Sequence, residues 1–264
     1  MPTVRFEFDA AATPQNRRSV HSWMNTLELF GHVGRRWCVD HAGGLSGVAE
    51  TGDVRAAAPE RYGPRVRRAL GETEATLGCT TIATSAVPEP RAKPPSLTLV
   101  GGVSREHSPI ERGDDRSEVM PAATPLEESL RRAVVMWQRH FEAADRLWLL
   151  GGDGEAEGHR QIGDVSSALL RRGRELAAEL EAATGVPTYL YVHRPVGYAG
   201  EDATRKCPDC HRPFAAAKAT PGPAAYPFRC ASCRLVSHAA TECAEDAAGE
   251  RLAAVGWAGR VPGR

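Results

Sequence analysis

The chain lacks net charge, a long apolar run and a regular ladder of cysteines, and each absence removes a class of protein. Acidic and basic residues balance at 33 each, so no long-range field of one sign surrounds the molecule. The whole chain is therefore not built to coat nucleic acid, a task that rests on phosphate neutralisation. No apolar run approaches the roughly 20 residues of a membrane-spanning helix. The start, Met1-Pro2-Thr3-Val4-Arg5-Phe6-Glu7-Phe8-Asp9, lacks the basic-then-apolar layout of a signal peptide. Seven cysteines are an odd number, with Cys38, Cys79 and Cys243 scattered; a disulfide scaffold is shorter and more evenly studded. The expectation is a reducing, cytoplasmic setting. Aromatic residues are scarce at 6%, while alanine, arginine, glycine and proline abound. Part of that imbalance reads as coding bias, so isolated glycines and arginines carry little weight.

A chain of 264 residues can bury a proper core, and at about 100–200 residues per domain it holds two units. Val4, Phe6 and Phe8 alternate with charged residues, which predicts a half-buried strand. Thr13-Pro14 supplies an N-cap and a first helical residue for a helix with Val20, Trp23, Met24 and Leu27 on one face and Gly31 as its stop. Short strands are expected at 36–40 and 47–51, a helix at 60–77 and a β-branched strand at 80–87. The order β-α-β-β-α-β predicts a ferredoxin-like unit over 1–88. Residues 89–123, proline-rich and then polar, read as a linker and loop. Thr124-Pro125-Leu126-Glu127 has the form of a capping box opening a long helix. A strand at 146–150, a helix at 166–184 and a strand at 186–193 complete a small α/β unit over 124–204.

What the chain does have is a cysteine pattern. Cys207-Pro-Asp-Cys210 and Cys230-Ala-Ser-Cys233 are separated by nineteen residues. A two-residue gap lets both sulfurs of a tight turn face one point, and two such turns supply the four soft donors a tetrahedral Zn²⁺ takes at about 2.3 Å. The spacing predicts a structural zinc ribbon over 205–240, followed by a tail over 241–264. Four cysteines complete the shell, so neither His211 nor His238 is needed. A catalytic zinc would keep an open position, and rubredoxin-like iron, which uses the same sulfurs, ranks below zinc. Cys38, Cys79 and Cys243 read as buried small apolar residues.

Between positions 205 and 234 six basic residues face one acid, Asp209. Cations near a tetrathiolate centre offset its negative charge. The functional reading of the same residues is a platform that holds Arg212, Lys218, Arg229 and Arg234 toward phosphate. Phe214, Tyr226 and Phe228 are interleaved; they either stack on bases or wall a small core. Gly151-Gly152-Asp153-Gly154 lacks the lysine and hydroxyl residue of a P-loop and reads as a turn. Asp145, Asp153, His159 and Asp164 lie within twenty residues and form the one candidate acid and histidine set for an enzyme.

Several stretches resemble a known family: 144–149 (Ala-Asp-Arg-Leu-Trp-Leu), 160–169 (Arg-Gln-Ile-Gly-Asp-Val-Ser-Ser-Ala-Leu), 184–191 (Thr-Gly-Val-Pro-Thr-Tyr-Leu-Tyr), 206–210 and 228–237. The pattern is similar to the bacterial Zn-ribbon-containing family of unknown function, to which nucleic-acid binding is ascribed on the strength of the ribbon. The resemblance covers about Leu126 to His238. It implies zinc on Cys207, Cys210, Cys230 and Cys233 and no established activity. Relatives carry a Cys-Gly-Asp-Cys ahead of the long helix, where this chain has Arg112-Gly113-Asp114-Asp115; a second thiol pair is thus not expected. The resulting expectation is a mixed α+β and α/β protein. It has a ferredoxin-like N-terminal half, a small α/β middle unit and a C-terminal zinc ribbon. It is non-enzymatic and binds nucleic acid, with a protein–protein adaptor or an enzyme centred near Asp153–Asp164 as alternatives.

Overall fold

The computed structural model describes residues 3–40, 44–51, 53–83, 92–102, 108–194, 196–197, 204–214, 222–223, 226–238 and 241–242. It is a mixed α/β structure whose chain divides into two compact units. The first comprises Met1–Lys93, Ser104–Glu111 and Ser117–Met136, and the second Pro94–Val103, Arg112–Arg116 and Trp137–Arg264.

The first unit holds β1 (Thr3–Phe8), α1 (Pro14–Leu29), β2 (Trp37–Asp40), β3 (Leu45–Glu50), α2 (Pro64–Leu77) and β4 (Thr80–Ala83). Its sheet has the order β2-β3-β1-β4, and every neighbouring pair is antiparallel. The alternation in β1 places Val4, Phe6 and Phe8 in one core with Val20, Trp23, Met24 and Leu27 of α1 and Val66, Leu70 and Leu77 of α2. Phe6 and Phe8 both meet the Trp23 ring edge-on, at 4.6 and 5.4 Å. Thr13 caps α1 through the Asn16 N–H, and Gly31 takes the left-handed φ of +71° just beyond its end.

The helix expected from residue 60 begins only at Pro64, because 59–61 forms a 3₁₀ turn. Its cap comes from a distant residue. The Glu128 carboxylate accepts from the N–H groups of Arg65 (2.8 Å) and Val66 (2.7 Å), a negative charge at the positive end of a helix. A β-carbon on Gly63 would stand 2.5 Å from the Glu128 carboxyl carbon, so a glycine is required for that approach.

The remaining elements are β5 (Leu97–Leu99), β6 (Ile110–Arg112), α3 (Glu128–Leu150), α4 (Glu155–Gly163), α5 (Ala168–Thr184), β7 (Thr188–Tyr191), β8 (Val196–Gly197), β9 (Phe228–Cys230), β10 (Leu235–Ser237) and β11 (Thr241–Glu242). A five-stranded sheet has the order β6-β5-β7-β10-β9. β5, β7 and β10 run parallel and β9 antiparallel to β10. All four residues of β7 are buried, the pattern of a parallel strand covered on both faces. Ser167 caps α5 through Leu170 N–H, and Gly185 ends it at φ +62°.

Three expectations change here. The strand expected at 146–150 is the last turn of α3. Val134, Trp137, Phe141, Ala144 and Trp148 are all buried and follow one another at three- and four-residue steps. The apolar run 147–150 therefore continues a helical stripe, and it leaves Leu150 83% exposed. The capping box does not form: the Thr124 hydroxyl donates to the Pro121 carbonyl, and the helix starts at Glu128. Within the stretch expected as a loop, 110–112 forms β6, and Ile110, Met120 and Ala122 are fully buried. Among the described residues no helix is long and apolar enough to cross a membrane.

Candidate metal centre

The two cysteine turns are built alike. In the first, Cys207 N–H donates to Arg212 O (2.8 Å) and His211 N–H to Cys207 O (3.0 Å). In the second, Cys230 ends β9 and pairs with Leu235. The residue directly after each second cysteine is left-handed, His211 at φ +59° and Arg234 at φ +53°. Such angles are uncommon outside glycine, and here they reverse the chain so that each pair of sulfurs faces inward. Phe214 N–H bonds Arg205 O and Arg229 N–H bonds Phe214 O, 2.9 and 2.8 Å. These two bonds lay the first turn beside β9.

All four sulfurs lie within 4.8 Å of one another. Cys210 and Cys230 Sγ are 3.6 Å apart, too far for a disulfide bond of about 2.05 Å. The spacing suits the edge of a tetrahedron with metal–sulfur bonds of 2.3 Å, about 3.8 Å. Burial pushes the Cys207 and Cys233 thiols up, whereas the Arg212 N–H pulls Cys210 down to about 6. Four thiols at this separation cannot all ionise against one another without a cation between them. The donor set fits a metal ion that takes thiolates.

The ribbon is tied to the α/β sheet at several points. β10 pairs in parallel with β7, with Leu190 N–H on Arg234 O (2.8 Å) and Val192 N–H on Val236 O (2.9 Å). Arg174 of α5 meets Asp209 of the first turn at 3.0 Å, and Arg234 of the second meets Glu181 of α5 at 3.1 Å. Every partner is at least a third exposed, so each pair contributes only about 0.2–1 kcal/mol. Arg205 lies over the Phe214 and Phe228 rings at 5.1 and 4.7 Å and donates to Ser237 Oγ and His238 O.

The basic residues singled out from the sequence take different places. Arg212 is exposed on the first turn. Arg229 is 8% exposed and donates to the carbonyls of Gly222 and Pro223. Arg234 pairs with Glu181 and lies over the Tyr189 ring. Lys218 falls outside the described residues. Phe214, Tyr226 and Phe228 are buried, so these rings wall the ribbon's core. Of the other cysteines, Cys38 is exposed on β2, against the expectation of burial; Cys79 is half-buried against the first unit's core, and Cys243 falls outside the described residues.

The acid and histidine set divides among separate tasks. Asp164 accepts from the N–H and hydroxyl of Ser166, Asp153 is exposed on a 3₁₀ turn, Asp145 is buried and His159 is exposed on α4. The sequence reading missed Tyr191, whose hydroxyl lies 2.6 Å from His238 Nδ1 and 3.1 Å from His193 Nδ1. The available signal was a histidine just past the end of each of two strands.

Residues 92–193 match a family described as a domain of unknown function (DUF2310), and residues 198–243 match a second, also a domain of unknown function (DUF8594). Two uncharacterised proteins of Haemophilus influenzae are each 34% identical over 134 residues, half of this chain. The matched region spans 64% of one relative and 50% of the other. No solved structure matches. The similarity of this chain therefore runs to bacterial proteins and domains of unknown function.

Proposed function

We propose that the chain is a non-enzymatic zinc-ribbon protein of the cytoplasm, holding one Zn²⁺ on Cys207, Cys210, Cys230 and Cys233 and binding a partner through the face of the first cysteine turn. The convergence of four sulfurs from two turns of the same build carries this reading. Zinc suits the set because it takes four thiolates tetrahedrally without redox chemistry, and a closed four-sulfur shell is structural. Metal analysis of tag-free protein tests it: one zinc per chain is expected, and stoichiometric iron or no metal refutes it.

Nucleic acid is the partner we favour. Lys206 and Arg212 are exposed on the first turn and carry that reading, with Lys218 as a third candidate; Arg229 and Arg234 contribute less because each is engaged within the fold. Two or three phosphate contacts predict a log–log salt slope of only about −2 to −3 on duplex DNA. Arg212→Glu should abolish retention at low salt while Arg229→Met leaves the slope unchanged. Wild-type protein that fails to retain mixed DNA and RNA at low salt removes this partner. A complex that survives moderate salt in pull-downs points instead to a protein adaptor, a reading favoured by the burial of Phe214, Tyr226 and Phe228 away from any base. For the first unit we infer a ferredoxin-like fold, supported by the strand order β2-β3-β1-β4 with α1 and α2 as the crossings.

A further inference from the structure

We propose, resting on the nucleic-acid reading of the first cysteine turn, that this phosphate-binding surface continues onto α5 and that it fits a duplex held by its backbone. Arg171 makes a third phosphate contact, and Arg174 screens the turn's own acid. α5 carries two charged stripes at three- and four-residue steps. Arg172 lies 2.7 Å from Glu175 and 3.2 Å from Glu179, so one stripe is closed on itself. The other, Arg171, Arg174, Ala178 and Glu181, faces the ribbon: Arg174 meets Asp209 of the first turn, and Glu181 meets Arg234 of the second. Residues three or four apart on a helix are neighbours, about 5–6 Å between β-carbons. Arg171 therefore stands one turn beyond Arg174, on the side of the first cysteine turn. It is exposed, and among the described residues no acid pairs with it.

Asp209 is the one acid between positions 205 and 234. It lies inside the first turn, between Cys207 and Cys210, and the exposed Lys206 and Arg212 flank the same turn. Unpaired, its charge would repel a phosphate drawn there by those two cations. Its contact with Arg174 at 3.0 Å cancels that charge. Lys206, Arg212 and Arg171 are then left for the partner. The kind of partner follows from the rings. Phe214, Tyr226 and Phe228 are buried, and the exposed large apolar side chains among the described residues are Leu147, Leu149 and Leu150. Proteins that take single strands without sequence preference combine a basic groove with aromatic side chains that stack on the bases. A surface with the charge and without those side chains meets phosphates alone. A duplex presents its phosphates outward while its bases stay stacked on one another.

Titration of the zinc-loaded, full-length protein with a fluorescent DNA duplex, an RNA duplex and the DNA single strand of the same sequence, each at several salt concentrations, tests this. The tighter of the two duplexes identifies the source of the phosphates and should outcompete the single strand. Arg171→Ala should move the log–log salt slope on duplex DNA from about −2.7 to about −1.8, with the metal content unchanged. Arg174→Met should weaken binding about threefold, the repulsion of one uncovered acid near a phosphate at high dielectric. Adding Asp209→Asn to Arg174→Met should restore it, which a variant that had merely lost its fold would not show. Failure of the wild type to bind any of the three probes at low salt removes the nucleic-acid reading and this surface with it. Wild-type binding that is lost in Arg212→Glu overturns the extension alone in any of three cases: a slope unmoved by Arg171→Ala, no rescue by Asp209→Asn, or a preference for the single strand.

Discussion

On the proposed reading, removing the metal held by the four cysteines should release β9 and β10 from the sheet while the first unit keeps its structure. The ribbon's apolar core is three aromatic rings, Phe214, Tyr226 and Phe228, with Leu235 and Val236 of β10. At about 1.5–3 kcal/mol each they supply roughly 8–15 kcal/mol. A structural zinc contributes about 10–16 kcal/mol of apparent binding energy at neutral pH, so chelation removes a term about as large as the whole apolar core. It also leaves the buried sulfurs of Cys207 and Cys230 without the ion they would share. The amides that report the loss are those of Leu190 and Val192, which bond Arg234 O and Val236 O across the β7–β10 junction. Hydrogen exchange should accelerate there by at least about a thousandfold on chelation, equivalent to roughly 4 kcal/mol of lost protection. The amides of β1 and β3 should not change. Cys230→Ser should reproduce the effect without chelator. Unaltered protection at Leu190 and Val192 after complete removal of the metal would refute the reasoning, because it would mean that packing alone holds the ribbon.

Two further predictions concern stability. His32 in the first unit is fully buried, its Nδ1 2.7 Å from Ala56 O, and burial lowers its pKa from 6.5 to about 4. The unfolded chain then binds the proton first, so stability should be complete above about pH 6.5 and fall by up to about 3 kcal/mol as pH drops toward 4. In urea titrations His32→Asn should flatten that dependence, and an unchanged slope would show that other groups cause it. For the glycines, a β-carbon at Gly158 would stand 2.5 Å from Ala144 O and 2.7 Å from Trp148 N, both backbone atoms, whereas one at Gly71 on α2 meets nothing within 4 Å. Gly158→Ala should therefore cost at least about 1–3 kcal/mol and Gly71→Ala should gain about 0.5–1 kcal/mol, in opposite directions in the same melting experiment.

How far the sequence was legible depended on whether the deciding contacts were local. The strand Thr3–Phe8, the cap at Thr13 and the four cysteines were readable because each signal acts within a few residues. The end of α3 was misread because a short apolar run has no period of its own; only the burial of Ala144 and Trp148 on one side makes 147–150 helical. Thr124 had the right neighbours for a capping box, yet its hydroxyl closes the turn begun at Pro121. The residue that caps α2, Glu128, lies more than sixty positions from the amides it serves. No local pattern could have indicated it.

The same division runs through the candidate sites. By itself the sequence determined that two Cys-x-x-Cys turns exist and that each can direct two sulfurs to one point, because that geometry is a property of four consecutive residues. Only the tertiary structure decided which of the surrounding charges are free to meet a partner. It buries Arg229 on carbonyl oxygens, pairs Arg234 with Glu181 and leaves Arg212 exposed. Likewise it gathers His193 and His238, which are forty-five positions apart, around the hydroxyl of Tyr191. Two strands distant in the chain run side by side and end at the same edge, and that juxtaposition depends on long-range sheet pairing that no window of sequence contains.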